Sequence, residues 1–131
     1  MYTAAQAYSK THQQTSNPRE LEATLLMRAA TRIAGIRDNW EERQGDLDEA
    51  LRYNRKLWTI FVGSVTDESC ELPVALRSNI ASLGMFVFNH TLRCIGLTEP
   101  KKLDVLVNVN RQIAAGLRGD GGAAQQKSTA A

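Results

Sequence analysis

The stretch "LDEALRYNRKLWTIFVGSV", Leu47 to Val65, decides how the chain is read. Leu47, Leu51, Asn54, Trp58, Phe61 and Val65 recur in alternating steps of four and three, which is the period of a helix with one apolar face. One slot on that face holds an amide. The Asn54–Arg55 pair returns as Asn110–Arg111 in "VNVNRQIAAGL", and a looser version, Arg77 and Asn79, stands in "LRSNIASLG".

The same period extends to both sides. "NPRELEATLLMRAATRIAGIRDNW" opens with Asn17 as an N-cap, Pro18 at the first helical position and Glu20 at the positive end of the dipole. Leu21, Leu25, Ala29, Ile33, Ile36 and Trp40 follow at helical steps, and Gly35 weakens this helix without ending it. The Leu47–Val65 helix should start near Asp46. After the polar connection "TDESCE", Pro73 opens a third helix with Leu76, Ile80, Leu83, Val87, His90 and Cys94 on one stripe and Gly96 as its stop. A fourth runs from Pro100, behind a Thr98 cap, through Leu103, Leu106, Asn110, Ile113 and Leu117. Residues 83–88, "LGMFVF", favour a strand when read alone. No second strand exists to pair with them, so they read as a central helix buried on most of its circumference.

Tyr2 to about Gln14 reads as a short helical arm with a thin apolar face. Residues 119–131, "GDGGAAQQKSTAA", are too polar and glycine-rich to order themselves and read as a flexible tail. The expected fold is therefore all-α: one domain over residues 1–118, a bundle of four main helices with a short N-terminal arm and a disordered C-terminal tail.

Composition restricts the function classes. With 131 residues the chain holds one core, and a net charge of +2 supplies no electrostatic case for nucleic acid or an anionic membrane. Arg52, Arg55 and Lys56 cluster, but carboxylates lie close in sequence and no groove-reading or aromatic-platform pattern accompanies them. There is no secretory signal, no run long enough to span a bilayer and no disulfide framework, so a cytoplasmic location is expected. His90 and Cys94 share a helical face at i and i+4, half of a metal site at best. His12 and Cys70 do not complete a recognised spacing, and core placement is the reading. No cofactor, no metal and no catalytic group is expected.

The amides are the informative irregularity. An unpartnered buried amide costs about 1–3 kcal/mol, so Asn54, Asn79 and Asn110 each need a reason. They bond to one another or to helix ends and fix helix register, or they line a groove where Arg55, Arg77 and Arg111 meet a partner's backbone and carboxylates, or they face solvent. Trp40 and Trp58 lie on apolar stripes and read as core, with a binding anchor as the alternative.

Four strings together, "SNPRELEATLLMRAA", "ALRYNRKLWTIFVGSVTD", "LPVALRSNIASLGMFVFNHTL" and "VNRQIAAGLRG", resemble the FlaF family of flagellar biosynthesis regulators, from Met1 to about Gly119. The resemblance implies a small helical cytoplasmic protein acting in flagellum assembly by binding flagellin as a chaperone that supports its synthesis and export. It implies action alongside FlbT, a regulator linked to flagellin mRNA. An RNA-acting regulator of flagellin expression and an adaptor that binds FlbT are the alternatives it leaves open. On the chaperone reading, an amphipathic flagellin helix enters a groove that the N-terminal arm covers or clamps. The expected partner-binding residues are Asn54, Arg55, Trp58, Arg77, Asn79, Met85, Phe86, Phe88, Asn110 and Arg111. The oligomeric state stays open.

Overall fold

The structure, a computed structural model, describes residues 18–96 and 98–130, with side chains through residue 119. Its elements are α1 (Pro18–Asp38), a short α2 (Trp40–Arg43), a 3-10 turn (Gln44–Asp46), α3 (Leu47–Thr66), α4 (Val74–Cys94), a second 3-10 turn (Pro100–Leu103) and α5 (Asp104–Ala130). No strand occurs among the described residues, so "LGMFVF" is helical. The N-terminal arm and Asn17 lie outside the described residues. The backbone of α5 runs through the glycine-rich stretch to Ala130 where a flexible tail was expected; side chains beyond residue 119 lie outside the described residues too.

Cross-helix contacts give the topology. Arg118 Nε donates to Glu20 Oε1 at 3.0 Å and Arg37 Nη1 to Asp104 Oδ1 at 3.1 Å, which sets α1 antiparallel to α5. Ser64 Oγ donates to Glu22 Oε2 at 3.4 Å, so the end of α3 meets the start of α1. Glu22 is buried and holds Arg19 at 3.0 Å, in the geometry of an ion pair rather than of an aligned hydrogen bond. The Gly96 N–H donates to Asp48 Oδ1 at 3.3 Å, which brings the end of α4 to the start of α3. The result is an up-down-up-down bundle. α1 packs most extensively on α5 and then on α3, α3 carries α4, and the α4–α5 side is the lightest.

Local chemistry sets the ends. α1 stops one turn past Gly35, where Asn39 doubles back on that glycine: its backbone N–H and its Nδ2 donate to Gly35 O at 3.1 and 2.8 Å. The first helix therefore ends before Trp40, which is half-buried on α2 against the core. Asp67 Oδ1 accepts from the Ser69 N–H at 2.8 Å and from its hydroxyl at 2.6 Å, an Asx turn that redirects the chain out of α3. Those two bonds hold the Asp67 carboxyl below its ordinary range. Gly96, at φ +93°, ends the α4 segment in a conformation that favours glycine. Thr98 does not cap the last helix: Glu99 occupies that place and makes no side-chain cap.

A further expectation is overturned. α4 is the outermost helix, not a central one. Its buried residues are Ile80, Gly84, Val87, Thr91 and Cys94, while Leu76, Leu83 and His90 are half-buried. The buried stripe is thus narrower than the apolar residues suggested and rotated toward the small ones. Gly84 explains it: a Cβ there would stand 2.5 Å from Val62 Cγ2 and 3.6 Å from Trp58 Cε3. The α4 backbone rides directly on α3 at this point.

Gly84→Ala should therefore cost about 1 kcal/mol in urea unfolding, because a clash of about 1–3 kcal/mol exceeds the roughly 1 kcal/mol that alanine gains in a helix. In a Val62→Ala background the clash is gone and only the propensity gain remains. There Gly84→Ala should stabilise, a reversal of sign that a double-mutant cycle reads directly.

Candidate functional site

The expected site residues separate into two groups. Asn54, Trp58 and Asn110 are fully buried. The Trp58 indole Nε1–H donates to Asn110 Oδ1 at 2.9 Å. Asn110 Nδ2 donates to Asn54 Oδ1 at 2.8 Å and to the Leu26 carbonyl at 3.1 Å. Trp58 also packs edge-on to Phe61, with ring centroids 5.5 Å apart. These three residues are core, so assigning them to partner contact is corrected: their polar atoms are turned inward to one another and no surface of them is left to touch. Of the readings left open for the amides, mutual bonding across helices is the geometry of Asn54 and Asn110. Asn79, by contrast, is exposed on α4.

The arginines do not converge. Arg55 is half-buried on α3 and Arg77 half-buried at the opposite end of the bundle, with its Nε hidden and unbonded. Arg111, exposed on α5, adds to the attraction that holds the Asp38 carboxyl below its ordinary range. The Arg37 side chain, bonded to Asp38 at 2.9 Å, is the larger cause. Arg111 thus serves the α1–α5 seam and stands apart from α4.

What α4 leaves outside is apolar. Met85 is 60% exposed, Leu92 61%, Val74 67% and Phe86 42%, while Phe88 is half-buried against the core. Phe86 stacks on His90, centroids 5.5 Å apart, and His90 Nε2 lies 2.7 Å from the Lys102 carbonyl, tying that edge of α4 to the turn before α5. Phe86 is therefore partly used by its own chain, whereas Met85 and Leu92 are presented without cover.

Chemistry-bearing groups are scattered. Both cysteines are free, Cys94 is buried, and among the described residues no group of three or more His, Cys, Asp or Glu is placed to hold a metal. A cleft of about 170 Å³ near Trp40, Leu47, Asp48 and Cys94 falls below the usual size of a small-molecule site. Its carboxylate, Asp48, already accepts from Gly96. No helix of the described residues is long and apolar enough to cross a membrane.

The model of one protein family, flagellar protein FlaF, matches residues 4–117. The chain belongs to the FlaF family. No curated protein and no solved structure matches it. The match spans all four main helices, so the buried bridge and the exposed apolar edge both lie inside the FlaF region of this flagellar protein. Sequence reasoning missed the cover of Phe86 by His90.

Within the bridge the two amides are unequal. Asn110 serves three partners, whereas Asn54 accepts one bond and its buried Nδ2 has none. Asn110→Leu should destabilise by about 3 kcal/mol, because it strands the Trp58 N–H and two acceptors. Asn54→Leu should fall within about 1 kcal/mol of the parent, since it also removes an unpaired donor. Urea unfolding of the two variants checks the ranking.

Proposed function

We propose that this FlaF-family chain is a non-enzymatic factor of flagellum biogenesis that binds flagellin in the cytoplasm as a chaperone supporting its synthesis and export. Family membership supports the flagellar part. The observation that carries the rest is the exposure of Met85 and Leu92 on α4, a helix whose buried stripe is made of other residues. Terminal helices of a flagellin subunit are amphipathic and must stay apart before export. An apolar helix edge offers them a place to lay their own apolar faces, with anchors at i, i+3 and i+7, the spacing of Met85, Phe88 and Leu92. The burial bonds of Asn54, Trp58 and Asn110 have no part in this contact.

Calorimetric titration of the purified chain with purified flagellin should give a micromolar or tighter complex. Met85→Ser/Leu92→Ser should weaken it at least about tenfold, because two large side chains stop contributing buried apolar area, with the far-ultraviolet circular dichroism unchanged. Absence of heat at micromolar concentrations would remove the chaperone reading.

A further inference from the structure

Two contacts fix how α3 lies on α4. Gly84 rests on Val62, and the Gly96 N–H bonds Asp48. Asp48, Arg55 and Val62 are spaced seven apart, so they share one stripe of α3. Both outer members meet α4. Half-buried Arg55 therefore stands between them on the same side, level with the turn of α4 around His90 and Thr91. Arg52 and Lys56, both exposed, lie one turn before it and beside it on the outer face.

The opposing wall comes from α4. His90 points its edge toward α5 through the Lys102 carbonyl. Phe88, two positions away and hence on the other side of the helix, lies toward α3 and is half-buried against the core. Val74, Ala81, Met85, Phe88 and Leu92 follow in steps of seven, four, three and four, an apolar ladder up that edge. One cleft thus has a greasy wall from α4 and a cationic wall from α3.

Those cations are unanswered. Arg19, Arg32, Arg37, Arg43 and Arg118 each sit within ion-pair distance of a carboxylate. Arg52, Arg55 and Lys56 have no side-chain partner among the described residues. Residues 1–17 contain no Asp or Glu and do contain Lys10, and residues 120–131 contain one carboxylate side chain, Asp120. A second copy docked on the same cleft would bring like charge to like charge.

We propose that the α3–α4 cleft binds an amphipathic helix from another polypeptide that carries acidic residues along its flank. Its apolar face covers Met85, Phe88 and Leu92, and its carboxylates meet Arg52, Arg55 and Lys56. This rests on the reading of α4 as a client surface and adds the charge class of the client helix and the wall that selects it.

Two labelled synthetic peptides with one leucine face, flanked in one by glutamates and in the other by lysines, are titrated with the full chain by fluorescence anisotropy. At low salt the glutamate peptide should bind about tenfold tighter, as two or three surface pairs allow, and the gap should close near 1 M salt. Arg52→Glu/Lys56→Glu, at exposed positions, should reverse the preference; Met85→Ser/Leu92→Ser should weaken both peptides. Equal affinities, no binding of either peptide, or a preference that survives Arg52→Glu/Lys56→Glu would overturn the proposal. So would self-association of the chain that Met85→Ser/Leu92→Ser abolishes. If flagellin fails to bind while the peptide preference holds, the chaperone reading falls and the cleft's charge selectivity stands. If flagellin binding needs Met85 and Leu92 but ignores Arg52→Glu/Lys56→Glu, the reverse applies.

Discussion

One side chain, Asn110, joins three helices. It accepts from Trp58 on α3 and donates both to Asn54 on α3 and to the Leu26 carbonyl on α1. All of this happens where no water reaches, so its value is less in net strength than in intolerance of error. Sliding α5 by one turn would strand an indole N–H and two acceptors together, at about 1–3 kcal/mol for each lost bond. Apolar side chains permit such slips at modest cost, because methyl groups have no preferred partner. The bridge thus selects one register among several that Leu26, Phe61, Leu106 and Ile113 would pack almost as well.

Once α1, α3 and α5 are locked to each other, α4 has only the remaining side to occupy, and it occupies it differently. Its buried stripe holds glycine, threonine and cysteine as well as Ile80 and Val87, and the glycine sits where a Cβ would strike Val62. Small residues facing in allow close approach, and close approach turns the large residues out. Single apolar side chains on a surface mean little. Here Met85 and Leu92 stand on one helical edge beside three unpaired cations, and that combination has the character of a contact surface.

The helices, their order and the polar role of the core amides were legible in the sequence, because the 3.6-residue period and the cost of burying an amide are both local facts. The standing of α4 was not. "LGMFVF" is apolar all round, and periodicity says only that such a segment is helical; whether it is enclosed depends on how much width its neighbours offer. Gly84 was the available clue, since a glycine amid large apolar residues signals backbone approach. Assigning both members of each Asn-Arg pair to partner contact hid the second fact. Adjacent helical residues diverge, so burial of Asn54 obliges Arg55 to point elsewhere, and burial of Asn110 does the same for Arg111. Where those arginines lead depends on the neighbouring helix: Arg111 lies near enough to Asp38 to attract its carboxylate, and Arg55 shares the stripe of α3 that holds Asp48 and Val62.

Division of labour between the two faces of α3 has an energetic consequence. The inward face carries Asn54 and Trp58 and sets the fold; the face toward α4 carries Asp48, Arg55 and Val62 and sets the cleft. α4 is the helix with the fewest ties, held mainly along α3 and only lightly to α5. A helix lying in the cleft touches both walls and therefore binds only when α4 is docked. Such a ligand stabilises the docked arrangement by mass action, in proportion to the logarithm of its concentration over its dissociation constant. Binding then reinforces the weakest seam of the bundle without drawing on the Asn110 bridge, because the residues that hold the ligand and the residues that hold the fold are separate sets on the same helix.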